Sequence, residues 1–305
     1  MPHLHRLSLA PLATLALTLA LSAAHAADPL RFVPKEASSV VHIDVAGSLT
    51  QNLVKATRKD LLDLAGATRE IQELKRDVGL DVFTGLATVT FAGTDKAARR
   101  PDESFLVLGF KGAAPDAGKL ATYYARRSRT AAKTTTHEGY SVHVIGPDSW
   151  LAFVEGHAIV GDKALVASAL SALKAGRPGM KPALAAALPA AATRKHAWGA
   201  AVGSADLGGV LGRQYPRLKD LRAMAFSLDL SRGFELDVAA TFPDAAAAQA
   251  MSAEIMTDLR NIASEREVRD GGLSATASGA VLKFRASITG ALATKLTETL
   301  KSLLQ

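Results

Sequence analysis

Side chains able to do chemistry concentrate in Thr136–Asp162, "THEGYSVHVIGPDSWLAFVEGHAIVGD", where His137, His143 and His157 lie among Glu138, Asp148, Glu155 and Asp162. Imidazoles and carboxylates at that density suit a zinc or acid–base centre, provided three or four of them converge on one point. "HEGYS" breaks the zinc-helix pattern His-Glu-x-x-His, because Ser141 stands at the second ligand position. Glu138-Gly139 and Glu155-Gly156 instead read as two-residue hairpin turns, with "GPDS" a longer turn between them.

Those turns set a strand register. It places His143 opposite Ala152, Val154 opposite His157, Ala152 opposite Ile159, and His137 opposite Tyr140. One face of the meander, carrying Val142, Val144, Leu151, Phe153, Ala158 and Val160, is then core. The other carries Ile145, Trp150, Ile159, His143 and His157, with His143 and His157 roughly 12 Å apart. No metal centre is expected. The second face is expected to be a contact surface.

Other polar groups were weighed in the same way. His42 and Asp44 share a strand face about 7 Å apart, the beginning of a hydrolase constellation. No Gly-x-Ser-x-Gly elbow supplies a nucleophile, so exposed strand polarity is expected there. "LGGVLG" lacks the Gly-x-Gly-x-x-Gly order of a dinucleotide site, and no cofactor is expected. "RDVGLDV" lacks the alternating oxygen ligands of a calcium loop; Gly79 ends a helix and Asp81 makes a turn. In "YYARRSR", Arg126, Arg127 and Arg129 are expected in solvent, with Tyr123 or Tyr124 packing inward.

The elements that carry these residues alternate between strand and helix periodicity. "SSVVHIDV" alternates as a strand and is followed by a helical region from Leu49 to Val78, broken near Gly66. "LATVTF" and "SFLVLGF" are strands, Pro115-Asp116 starts a helix, and "DKALVASALSALKAG" is another helix. "HAWGAAVG" restarts the order, "FSLDL" and "FELDVAATF" pair, and "FPDAAAAQAMSAEIMTDLRNIASE" is a helix. "GLSATASGAVLKFRASI" supplies two strands, and "ALATKLTETLKSLLQ" is an amphipathic closing helix. "FLVLGFKGAAPDA" parallels "ELDVAATFPDA", and "THEGYSVHV" parallels "TASGAVLKF", so His143 corresponds to Lys283. An α+β protein follows, of two related β-α-β-β-rich units with antiparallel sheets packed against helices. Its parts are a signal peptide at 1–26, a first unit at 27–176, a linker at 177–195 and a second unit at 196–305.

The leader reading rests on Arg6, the apolar run Leu7–Leu21 and the small-x-small motif Ala24–Ala26, with cleavage after Ala26. Its removal takes one Arg and no acid, so the net charge falls from +7 to +6. The chain has no cysteine, which excludes a disulfide framework, thiol nucleophiles and Cys-ligated metal. No second apolar run spans a membrane, and an exported chain meets no nucleic acid. Its expected place is the periplasm or the exterior, and its partner an unidentified protein or an anionic envelope component.

"VPKEASSVVHIDV", "VGLDVFTGLATVTF", "HEGYSVHV" and "AIVGDKALVASAL" together resemble a group of exported bacterial α+β repeat proteins of unknown function. The shared pattern is a Pro-x-x-Ala-x-x-Val-x-x-x-Asp-Val opening, a Gly-x-Asp turn after a long helix, and Val-Gly-Asp before a short helix. Val82 departs from it, standing where proline is common. The resemblance brings no catalytic residue. The expectation is therefore a non-enzymatic protein that binds a protein or envelope component. The alternatives are an envelope hydrolase with a site between the halves and a periplasmic carrier of an apolar ligand.

Overall fold

The computed structural model describes residues 29–51, 54, 68–94, 104–176, 180–188, 195–203, 215–231, 233–262 and 272–288. The expected leader at 1–26 and closing helix at 291–305 lie outside them. The chain divides into two compact units, Met1–Pro182 and Ala183–Gln305. Each is built from antiparallel strands and helices, and the fold is α+β. Among the described residues no helix is long and apolar enough to cross a membrane.

The first unit runs β1 (Ser39–Asp44), α1 (Val45–Ser48), α2 (Thr68–Val78), α3 (Val82–Gly85), β2 (Leu86–Gly93), β3 (Ser104–Phe110) and α4 (Ala117–Arg127). It continues with β4 (Lys133–His137), β5 (Tyr140–Gly146), β6 (Ser149–Val154), β7 (His157–Asp162) and α5 (Lys163–Lys174). Its strands lie in the order β1-β2-β3-β7-β6-β5-β4, every pair antiparallel. The central strands β2, β3 and β7 are buried along nearly their whole length; β3 and β7 carry continuous apolar runs, whereas β2 alternates apolar residues with Thr88 and Thr90.

Aspartates set the helix starts. Asp116 accepts from Lys119 N at 2.8 Å, Asp162 from Ala164 N and Leu165 N, and Asp81 from Phe83 N. Gly161, just before Asp162, lies so close to β3 that an added Cβ would meet the Ser104 carbonyl and sit 2.8 Å from Phe105 Cα. The Val-Gly-Asp signature is thus a close backbone approach followed by a helix cap.

A six-residue helix, α6 (Pro182–Ala187), with Leu184 buried, lies in the stretch expected to be a linker. The second unit then runs β8 (Ala197–Val202), β9 (Ala223–Asp229), β10 (Phe234–Thr241), α7 (Ala245–Ile262), β11 (Ser274–Ser278) and β12 (Val281–Ile288). Its strands lie in the order β8-β9-β10-β12-β11. Asp244 caps α7 through Ala247 N, and α7 packs on β11 and β12. Leu221, Phe242, Met251 and Leu282 form the core beneath it.

A strand, an Asp-capped helix and a hairpin follow one another in both units, but the sheets are wired differently. In the second unit β12 lies directly against β10, whereas β7 and β6 stand between β3 and β5 in the first.

Candidate functional site

The register of the meander decides where its histidines go. His137 pairs with Tyr140, Val154 with His157, and Ala152 with Ile159, as the two Glu-Gly turns require. Glu138 and Glu155 take positive φ ahead of Gly139 and Gly156, the backbone of a tight hairpin turn. The turn between β5 and β6 is shorter than "GPDS" suggests, with only Pro147 and Asp148 outside the strands. A bulge between Val144 and Gly146 compensates for it. His143 consequently faces Leu151 rather than Ala152, which takes it off the face of Trp150, Ala152, Ile159 and His157 and brings Val142 and Val144 onto it.

That one-residue slip corrects the expected contact surface. Ile145, Ile159 and His157 are buried, Trp150 is 8% exposed, and His143 lies half-buried on the opposite face, where it contacts Thr134 Oγ1. Trp150 is occupied within its own unit: the Lys163 ammonium lies 5.3 Å from its ring and the His137 ring 5.4 Å away. The five residues do not form an exposed patch. Of the arginines expected in solvent, Arg126 and Arg129 are exposed and Arg127 is half-buried; Arg126 pairs with Asp77 and Arg127 with Glu73 at 3.0 Å, both on α2.

The chemistry-bearing side chains that the fold brings together lie on the same face as Trp150 and Ile159, farther across the sheet towards β1. Pairing across the sheet puts Asp44 opposite Thr88, Thr88 opposite Gly109, and Gly109 opposite His157. In the next row His42 stands opposite Thr90. Residues directly opposite share a face, so His42, Asp44, Thr88, Thr90 and His157 make one polar row in an apolar interior. All five are buried, His42 at 8% exposed and Asp44 at 4%. The expectation of exposed strand polarity at His42 and Asp44 is therefore overturned. The paired strand β2 supplies hydroxyls on the same face, and the interior absorbs all of them.

Each member is held differently. His42 Nδ1 lies 2.8 Å from Thr90 Oγ1, and burial lowers its pKa to about 4, so the ring is neutral. The His157 Nδ1–H donates to the Glu155 carbonyl at 2.9 Å, and its ring packs against Phe32 at 4.8 Å. A carbonyl can only accept, so Nδ1 is the donor and Nε2 is the nitrogen left to face other groups. That nitrogen turns towards Gly109, where the missing side chain leaves room between Thr88 Oγ1 and the imidazole.

Asp44 is the exception among the aspartates at helix starts. It occupies the N-cap of α1, yet its side chain makes no capping bond. Among the described residues its Oδ1 is enclosed without a hydrogen-bond partner, as is Ser48 Oγ at the other end of the same turn. Burial raises the Asp44 pKa to about 7. This carboxyl forgoes the capping that Asp81, Asp116, Asp162 and Asp244 perform and is held in the interior instead. The signal in the sequence was the alternation of Thr88 and Thr90 in "LATVTF". It becomes informative only once β1 is known to pair with β2.

The second unit ties its own histidine into the backbone. His196 Nδ1 accepts from Leu230 N at 3.0 Å, and burial lowers its pKa, while Lys195 pairs with Asp229 at 2.6 Å. Among the described residues no three His, Asp or Glu side chains gather as a metal ion would need.

The sheet of the first unit ends in an exposed edge strand. Among the described residues β4 is the terminal strand of its sheet, paired only with β5, and Lys133, Thr134, Thr135 and Thr136 are all exposed. Arg129, exposed and at φ 55°, stands just before it.

No protein-family model matches the chain, and no curated protein matches it in sequence. Among solved structures it is similar to TP0453 in its crystal form I, with a TM-score of 0.49 and 12% identity, over 91% of this chain and 98% of that one.

Proposed function

We propose that this is an exported protein of the periplasm or exterior that works by binding rather than by catalysis. Its partner on this reading is an extended, acidic segment of another envelope protein, which adds as a strand to β4. The exposed terminal strand Lys133–Thr136 is the observation that carries the reading. An edge strand presents a row of backbone donors and acceptors that a partner's strand can satisfy. Three consecutive threonines favour extended backbone and leave no bulky side chain to block an incoming strand. Arg129 and Lys133 give that edge a positive start, in a chain of net charge +7, which selects for an acidic partner. The leader at 1–26 supports export, and the cysteine-free composition suits a protein whose stability comes from its core.

The test is a photo-crosslinker at Thr135 in the intact cell envelope. Three further backgrounds carry the same probe: Arg129→Glu with Lys133→Glu, Thr134→Pro, and Thr136→Pro. Strand addition predicts one crosslinked protein, lost on charge reversal and lost in at least one proline variant. Loss on charge reversal with no effect of either proline would identify an anionic polymer held by charge alone. Crosslinking indifferent to every variant would refute the edge as the binding surface.

A further inference from the structure

The tight turn after β4 fixes which backbone groups the outer edge of that strand presents. Glu138 at φ 53° and Gly139 at φ 90° are its two central residues, and His137 and Tyr140 on either side exchange the hydrogen bonds that close the hairpin. Antiparallel pairs alternate between hydrogen-bonded and non-hydrogen-bonded, and the β4–β5 register runs unbroken from Lys133 to His137. The backbone groups of His137, Thr135 and Lys133 therefore turn towards β5. Those of Thr136 and Thr134 turn to the open side. Side chains alternate as well. Thr135 shares a face with Val142, its partner across the ladder, which is 0% exposed. Thr134 and Thr136 lie on the other face, beside half-buried His143 and exposed Ser141.

We infer that the strand added at β4 runs antiparallel to it and reads, from its N-terminal end, polar, apolar, polar, acidic. The inference rests on the strand addition proposed above. In the antiparallel arrangement two partner residues, opposite Thr136 and Thr134, supply four backbone bonds within a span of about three residues. A parallel strand needs about five residues for the same bonds, because its slanted ladder ties each threonine to two different partner residues. Every further residue ordered costs conformational entropy, so the short edge favours the antiparallel strand. The partner residue opposite Thr135 forms a close, non-hydrogen-bonded pair on the face of Val142, where a β-branched or other apolar side chain extends buried surface. Its neighbours, on the face of Ser141 and His143, are polar. The next residue stands opposite Lys133, with Arg129 just before the strand, and an acidic side chain fits there. At the far end of the edge the Glu138 carboxylate is matched by Lys174 at 2.6 Å, so the charge that orients the partner lies at the Lys133 end.

Two measurements test it. Amide hydrogen exchange on the unmodified mature protein, read by NMR, should find the Thr135 and His137 amides slow and the Thr134 and Thr136 amides as fast as those of an open loop. The opposite parity overturns the inference before any partner is present. A photo-crosslinker is then placed at exposed Ala132 or at Thr136 in the intact envelope, and its attachment points on the captured protein are mapped by mass spectrometry. The antiparallel strand predicts that the Ala132 probe attaches about four residues C-terminal to the Thr136 probe, with an Asp or Glu at the Ala132 end. Attachment in the reverse order, attachment at scattered points, or a segment without an acid at that end overturns the inference, and strand addition is then judged by the proline variants alone. Capture at none of Ala132, Thr135 and Thr136, or capture at Thr135 that neither proline affects, refutes strand addition itself.

Discussion

Replacing Asp44 by asparagine should change the shape of the protein's pH–stability profile, not only its height. The Asp44 carboxyl ionises at about 7 in the fold against an ordinary value of 3.8. A raised folded pKa means that the folded state holds the proton longer than the unfolded chain does. The stability this provides is complete below about pH 4 and is lost as pH climbs to about 7. At about 1.36 kcal/mol per pH unit that loss reaches roughly 4 kcal/mol.

His42 works in the opposite direction. Its pKa falls from 6.5 to about 4, so the fold excludes a proton that the unfolded chain takes up. Its contribution is present above pH 6.5 and is lost as pH drops towards 4, by roughly 3 kcal/mol. Between pH 4 and 6.5 the two slopes nearly cancel, and the wild type should be close to flat there. Asp44→Asn removes one slope and leaves the other. Urea titrations from pH 4 to 8 should therefore show the variant gaining about 3 kcal/mol between pH 4 and 6.5 while the wild type barely moves. Above pH 7 the variant should be the more stable of the two. Parallel profiles for the two proteins would refute the account of Asp44 as a buried acid.

Further substitutions test the packing and capping of the first unit. Gly161→Ala should cost about 3 kcal/mol in the urea midpoint, because its Cβ would be driven into the β3 backbone at Ser104 and Phe105. Asp162→Ala should cost about 1 kcal/mol by uncapping α5, with Asp162→Asn recovering most of it in the same titration. Tyr124→Phe should be neutral or raise stability by about 1 kcal/mol, since its hydroxyl is buried without a partner. Tyr123→Phe should lower Tm instead, because that hydroxyl accepts from Arg127 at 3.0 Å.

Local punctuation was legible in the sequence and long-range pairing was not. Asp116 and Asp162 read as helix starts because their signal lies within three residues of the amide they accept from. The Glu138-Gly139 and Glu155-Gly156 turns likewise carry their own register. The β5–β6 register failed on a single bulge residue next to Pro147-Asp148. A slip of one moves every side chain to the other face. That slip put His143 on the face of Trp150, Ile159 and His157, and the burial of that face is a separate fact that the strand pattern does not carry.

The error at His42 and Asp44 has a different origin. An alternating strand whose second face is polar reads as a surface strand, since burying an unpaired polar group costs free energy. The inference fails when the neighbouring strand brings hydroxyls to the same face, as Thr88 and Thr90 do. Even so, the interior is only partly satisfied. His42 has Thr90, and the Glu155 carbonyl holds His157, but Asp44 Oδ1 keeps no protein partner. An apolar residue at position 44 would avoid the cost of burying a carboxyl, and a carboxyl turned to its own helix would recover a capping bond. Position 44 has neither arrangement. The polar row is therefore not a hydrogen-bond network closed on itself: among the described residues Asp44 Oδ1 is left over, and the carboxyl answers by holding its proton to about pH 7.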